Sequence, residues 1–515
     1  MGLKDDSIFQ AELNDVLNTG CPEELLGFME RNIAAFFSTP DISTYYHLLK
    51  GIDISVSKKL IPKLIFAWLA FLSGDNANLF SVIKYINENE LQGPHQSSFY
   101  YSLKAMMGFM MNNDEGIRYA KLSLDVLPKE DESFYMENAR LTYGQLLSGS
   151  NSFRLASEMF ASSYKIFYSR ELHFPAVVAL TNEALNRYKL GEFTAVLDKC
   201  NEALLMSGSF TKELQDYWYV LNLPLGMCYY EMNKPNLAIR HLKLAKSSID
   251  KMKLFHMHGY IELYLYKSYY MLNDLQGMES IMDEAVVNFE HMQYRQTDFL
   301  ISMFRILSAQ KTGNCDIQQD IERLEVEYLK NGENSHIIVF ETLAYLKIKG
   351  LSESISIENI VKRLEKLRFT GMIPLTQLFL LILAEMHYME NRHKDAVECL
   401  REAVGIYREY GISAAFYACT FKAVELIGKI DQHFYNMLCR NRQEGEAAKP
   451  GYVLSAREKE IMQLIALGKT NEEMSKTLFI GIGTIKWHIN NIFGKLEVKN
   501  RVQAIEKARS LGEIS

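Results

Sequence analysis

The chain has 515 residues, 48% hydrophobic and 23% charged, with a formal net charge of −7. That balance excludes a disordered polyelectrolyte, and the longest apolar run, Leu64 to Leu72, is too short to span a bilayer. The seven cysteines, Cys21, Cys200, Cys228, Cys315, Cys399, Cys419 and Cys439, have no paired spacing, which argues for a reducing compartment and against structural zinc.

In chain order, residues 1–59 read as a helical cap, with no charged segment leading into a signal-type apolar stretch. A cytoplasmic location without membrane partners is expected. From residue 60 to 430 the apolar pattern is helical throughout. It is punctuated by turn residues at Gly74, Asn113, Ser150, Gly191, Asn233, Asn273, Gly313, Gly350 and Asn391, at intervals of 37 to 42 residues. A period of that size predicts stacked helix pairs. Small residues fall where the helices of a pair must cross closely: Gly108 with Ala120, Gly144 with Ala156, Ala184 with Ala195, Gly226 with Ala238, and Ala384 with Ala396.

Aromatic residues are densest in two successive units, including Trp218, Tyr229 and Tyr230, then Tyr266 and Tyr269. Tyr and Trp can offer a small molecule both a ring face and a hydrogen bond, which makes these five the candidate ligand residues; helix-pair repeats also bury such side chains as routine core. Residues 431–452 are expected to link the repeats to a last unit, with a polar stretch from Asn441 to Pro450.

Residues 453–515 predict four helices. Ser455 with Glu458, and Thr470 with Glu473, have capping-box spacing, and Gly468 ends the first helix. Ile485, Ile489, Ile492 and Leu496 form the inward stripe of a third helix from about Gly483, and a fourth runs from about Arg501. A short helix, a tight turn and a helix with polar and basic residues at its start is the arrangement that enters a DNA major groove. The segment carries ten Lys and Arg against seven Asp and Glu, or +3, which leaves −10 on the remainder. A basic tip on an acidic body favours one orientation of approach to DNA.

Leu454 to Glu458, Gly468, Asn471 to Ser475, Thr484 to His488 and Lys495-Leu496 together resemble the LuxR-type helix-turn-helix. The resemblance implies double-stranded DNA as partner, with Lys486 and Asn490 at base edges, Trp487 beside them, and Thr484, His488, Lys499 and Arg501 on phosphates. Gly481, Gly483 and Trp487 depart from the usual pattern. A homodimer on DNA is expected, with Val502, Ile505, Ala508 and Leu511 either the dimer face or the completion of the small core; RNA polymerase is a further candidate partner.

Upstream, the unit from Leu225 to Tyr230 followed by Ala238, Leu242 and Ala245 resembles the tetratricopeptide repeat, lengthened by longer helices. Leu48 to Lys50, Leu60 to Pro62 and Ala67 to Asp75 are similar to the start of the repeat domain in MalT-like activators. Those proteins carry an ATPase module ahead of that domain. Here about 40 residues precede the similarity and no Gly-x-x-x-x-Gly-Lys-Ser/Thr occurs, so ATP-driven assembly is not expected. The expected fold is all-α, a tetratricopeptide-like superhelix followed by a four-helix LuxR-type head. The expected function is regulation of transcription by a repeat domain that senses a small-molecule inducer. The alternatives are a peptide or protein partner in the repeat groove, or an interaction scaffold. No nucleophile elbow, metal-ligand spacing or dinucleotide loop occurs, so neither an enzyme nor a cofactor is expected.

Overall fold

The computed structural model describes residues 6–51, 59–111, 115–252, 257–290, 295–312, 317–332, 335–418, 421–443, 456–478 and 501–510, together with Ile485, His488, Ile489, Ile492, Phe493, Leu496, Val498 and Asn500. Every regular element among them is a helix. Four helices open the chain, α1 (Asp6–Asn18), α2 (Pro22–Arg31), α3 (Ile33–Phe36) and α4 (Ile42–Leu49). Helix hairpins follow: α5 (Leu60–Leu72) with α6 (Asn76–Ile83), α7 (Gly93–Met110) with α8 (Glu115–Asp125), α9 (Phe134–Gly149) with α10 (Phe153–Ser169), and α11 (His173–Lys189) with α12 (Phe193–Ser207). After α13 (Lys212–Trp218) come α14 (Asn222–Glu231) with α15 (Pro235–Met252), α16 (His258–Met271) with α17 (Leu275–Glu290), α18 (Arg295–Thr312) with α19 (Gln318–Asn331), α20 (Ile337–Ile348) with α21 (Ile357–Thr370), and α22 (Ile373–Met389) with α23 (His393–Tyr410).

Among the described residues each predicted turn separates the two helices of one hairpin; Asn113 and Gly313 lie outside the described residues. The reason is local: Gly74, Asn151, Gly191, Asn233, Asn273, Gly350 and Asn391 all have φ between 53° and 78°, a left-handed conformation that Gly and Asn tolerate best. The small residues do sit at close crossings. A Cβ on Gly226 would lie 2.6 Å from Leu242 Cγ, and one on Gly144 would lie 3.0 Å from the Phe160 ring. In the α11–α12 hairpin the expected register is one residue early. Ala195 is exposed and Val196 is the buried contact.

The four opening helices share one core with the first two hairpins and α9, running from Phe9 to Leu146. Tyr46 Oη and Lys50 Nζ donate to Asp75 at 2.7 and 2.8 Å, tying α4 to the α5–α6 turn. A second, larger core runs from Phe167 to Leu438. It extends past the expected end of the repeats. After α24 (Ala414–Ala418), α25 (Gln432–Gln443) packs Phe434 on Tyr407 with ring centroids 4.1 Å apart and buries Leu438. Residues 432–443 are therefore helix where a linker was expected, because Phe434 and Leu438, four apart, share one apolar face.

The coil closes on itself. A Cβ on Gly191 would lie 2.7 Å from Tyr410 and 3.2 Å from Ile373, and the Ser413 amide donates to the Glu231 carbonyl at 2.8 Å. Hairpins nearly two hundred residues apart in sequence thus meet along a seam. Polar groups line it: Tyr188 Oη donates to Glu231 Oε1 at 2.6 Å and lies 2.5 Å from Tyr264 Oη, and Lys267 Nζ donates to Glu341 at 2.8 Å.

Among the described residues no helix is long and apolar enough to cross a membrane, and no group of His, Cys, Asp or Glu is placed to hold a metal ion.

Candidate nucleic-acid interface

The last unit is built from α26 (Ala456–Ala466), α27 (Asn471–Leu478), the described helical residues between 485 and 496, and α28 (Arg501–Ser510). Helix α26 ends as Gly468 predicts. Its φ is +74°, the Gly468 amide donates to Ile465 O at 3.0 Å, and the Lys469 amide reaches back to Leu464 O at 3.0 Å. This six-to-one closure satisfies carbonyls that the helix end would leave open. Two residues later the expected capping box forms: the Thr470 amide donates to Glu473 Oε2 at 2.8 Å and the Glu473 amide to Thr470 Oγ1 at 3.2 Å. These bonds, with Lys469 close by, hold the Glu473 carboxyl below its ordinary range. The other box begins at Ser455, which lies outside the described residues.

A single small core holds the unit together. Ile461, Met462, Ile465 and Met474 meet Ile485, Ile489, Ile492 and Leu496, and Ala504 and Ala508 of α28 close the far side. The predicted inward stripe of the third helix is therefore fully buried. On α28, Ala508 belongs to the core, Ile505 is half-buried against it, and Val502 is 67% exposed. The four residues read as one face are thus divided, with Leu511 outside the described residues.

The expected DNA contacts fare differently from one another. Thr484, Lys486, Trp487, Asn490 and Lys499 lie outside the described residues. His488 is 6% exposed, so it is an interior side chain and not the phosphate ligand that the resemblance implied. Its neighbours explain this: Ile485, Ile489 and Ile492 pull that side of the helix inward. Arg501 also has an internal task. Its guanidinium donates to Lys469 O at 2.8 Å and to Asn471 Oδ1, bracing α28 against the start of α27. A separation of 30 residues hides this brace from any local reading of the sequence. Replacing Arg501 by Ala should loosen the unit by about 1–3 kcal/mol, since charged hydrogen bonds to half-buried groups are lost. Faster amide exchange confined to residues 456–510 would register it, and unchanged exchange would remove the brace from this account.

The candidate ligand aromatics are placed less favourably. Trp218 and Tyr266 are fully buried, and Tyr230 and Tyr269 are below a tenth exposed. Tyr266 stacks on Phe304 at 4.1 Å and its hydroxyl donates to Phe304 O at 2.8 Å. These four are core side chains between packed helices and present no ring face to a ligand. Tyr229 is half-buried and stacks on His241 at 4.9 Å.

Comparison with known proteins bears on the same segment. Residues 452–508 match the family described as bacterial regulatory proteins, luxR family. The transcriptional regulatory protein LiaR of Bacillus subtilis is 53% identical over 68 residues, which are 13% of this chain and 32% of LiaR. DesR of the same organism, also a transcriptional regulatory protein, is 44% identical over 59 residues, 12% of this chain and 30% of DesR. The CsgBAC operon transcriptional regulatory protein of Escherichia coli is 45% identical over 56 residues, 11% of this chain and 26% of that protein. The chain thus spans about a third or less of the length of these relatives. With the capping box, the Gly468 turn, the buried stripe and the family match all in register, residues 452–508 form a LuxR-type helix-turn-helix domain at the C-terminus of the chain.

Proposed function

We propose that this protein is a DNA-binding transcriptional regulator whose coil of helix hairpins receives a signal and governs the C-terminal domain. The observation that carries the reading is the family match over 452–508, together with the buried stripe Ile485, Ile489 and Ile492. Lys486 and Asn490, four apart in sequence, share one helical face by their spacing, and the resemblance implies that they reach base edges. There a lysine can donate to guanine O6 and N7, and an asparagine can pair with adenine. Trp487 adds a ring beside them, and Thr484 and Lys499 supply phosphate contacts that set register. Pairing of two copies on a twofold-symmetric site would offset the modest +3 charge of a single domain. Signal control then follows from differential affinity: a ligand can shift the coil only if it binds one arrangement better than the other.

The test begins with site selection from random duplex DNA by the full chain. On the selected site, Lys486→Glu should weaken binding about 100-fold or more, because a base contact worth about 1–3 kcal/mol is lost and a like charge is set against the phosphates. Equal affinity for the variant would leave the domain as a protein-interaction module instead.

A further inference from the structure

Between the two large cores lies a half-open cavity of about 590 Å³, bordered by the region around α3, by α9 and by the α10–α11 corner. That volume is in the range of small-molecule sites, which favour places where two packed bodies meet. Phe37 and Phe134, stacked at 5.5 Å, pack with the core of the opening helices, whereas Phe167 and Leu172 belong to the larger core.

The cation that lines this cavity is Arg170. Its side chain is 34% exposed, and among the described residues its ion pair is with Glu132, at 3.4 Å. Glu132 is 85% exposed, so the pair is weak and leaves the guanidinium accessible to a better partner. The acid in the wall offers a ligand nothing: the Glu137 side chain is 1% exposed and its Oε1 accepts from Arg140 at 2.6 Å. Glu171, also in the lining, is set apart by its backbone. Among the described residues, Asn151, Asn233, Asn273 and Asn391 hold a positive φ, as Asn tolerates, and the remaining non-glycine residue to do so is Glu171, at +59°. A glutamate kept in that costly conformation marks a turn held by its surroundings, and such turns gather at ligand sites. Here the turn sets Arg170 and Leu172, on either side of Glu171, against the cavity.

We infer that this cavity binds a small monocarboxylate with an apolar body, aryl or short alkyl, its carboxylate on the Arg170 guanidinium and its body among Phe37, Phe134, Phe167 and Leu172. The guanidinium fork matches the two oxygens of a carboxylate. A neutral apolar guest would strip water from that fork and return no hydrogen bond. An amine would be set against a like charge. A phosphate ester fits less well than a carboxylate, because a dianion beside Arg170 would also face Glu132 and Glu171, and one guanidinium balances one charge. Occupancy would clamp the core of the opening helices onto the larger core, because the ligand touches both sides of the junction. The inference rests on the signal-receiving role proposed above and names its ligand class.

Binding is measured on the full chain without DNA, so its failure is distinct from failure of DNA recognition. Phenylacetate, 3-phenylpropionate, hexanoate and octanoate are titrated one at a time by calorimetry, each followed by its primary amide, which keeps the shape and lacks the charge. At least one acid should bind with Kd below about 1 mM, and its amide at least about tenfold more weakly. Arg170→Gln should bring the acid down to the level of its amide. Ala34→Phe, which fills the cavity from a half-buried wall position, should abolish binding while the thermal transition is kept. Should that variant fail to fold, Arg170→Gln decides the matter, since a side chain 34% exposed in a weak surface pair is dispensable to the fold. No binding of any of the acids at about 10 mM, equal binding of acid and amide, or unaltered binding by Arg170→Gln or by folded Ala34→Phe would overturn the assignment.

Discussion

Replacing Glu231 by Gln is expected to make the protein more stable than the wild type at pH 8, and to leave the two nearly equal near pH 4.5. Glu231 is 8% exposed at the seam where α14 meets α24, and burial pushes its carboxyl up to about 7 against the restraining effects of Tyr188 and Lys267. Glu341, already held by Lys267, adds to the upward push. In the unfolded chain the same group titrates near about 4.3. The folded state therefore binds the extra proton between those two values, and stability falls as pH rises from the lower to the upper. The total loss for a shift of that size is on the order of 3 kcal/mol. Gln keeps the shape, and its carbonyl can still accept from the Tyr188 hydroxyl, but it carries no charge to bury. The difference between variant and wild-type urea midpoints, followed by circular dichroism, should thus open progressively across pH 5 to 7 and level off by pH 8. Parallel curves for the two proteins would show that Glu231 titrates normally and that the seam is wetter than its burial indicates.

That seam also marks the limit of what the sequence discloses. Hairpin turns were legible because Asn233, Asn273 and Asn391 announce a left-handed residue by their type, and the C-terminal domain because Thr470, Glu473 and Gly468 act within a few residues of themselves. Closure of the coil needs Gly191 to meet Tyr410, and nothing near either residue encodes the meeting. The same reason accounts for Arg501, whose role depends on Lys469 and Asn471, and for Trp218, which is lodged among Tyr168 and His173 from other helices and Phe210 from the turn before α13. Density of aromatic residues reports how much is to be buried, not which faces stay open.

Gly226→Val is expected to cost about 1–3 kcal/mol, toward the upper end, through overpacking of the α14–α15 crossing. A Cβ there lies 2.6 Å from Leu242 Cγ, 2.9 Å from its Cδ2 and 3.2 Å from the Ala238 carbonyl. Leu242 is fully buried and cannot swing aside, and the carbonyl belongs to the α15 backbone. The milder Gly226→Ala offers a check on the cause. Combined with Leu242→Ala, which alone should cost about 2–5 kcal/mol for the cavity it opens, it should lose clearly less than the sum of the two single changes, because one removes the obstacle to the other. Simple additivity would place the strain elsewhere. How the damage spreads is equally informative. In an open stack each hairpin depends only on its neighbours, so a weakened unit can unfold while the ends persist. Here Glu231, five residues from Gly226, also receives the Ser413 amide from the far end of the coil. Amide exchange in Gly226→Val should therefore quicken in α22 and α23 as well as in α14 and α15, whereas an effect confined to α14 and α15 would mean that the seam contributes little to holding the coil closed.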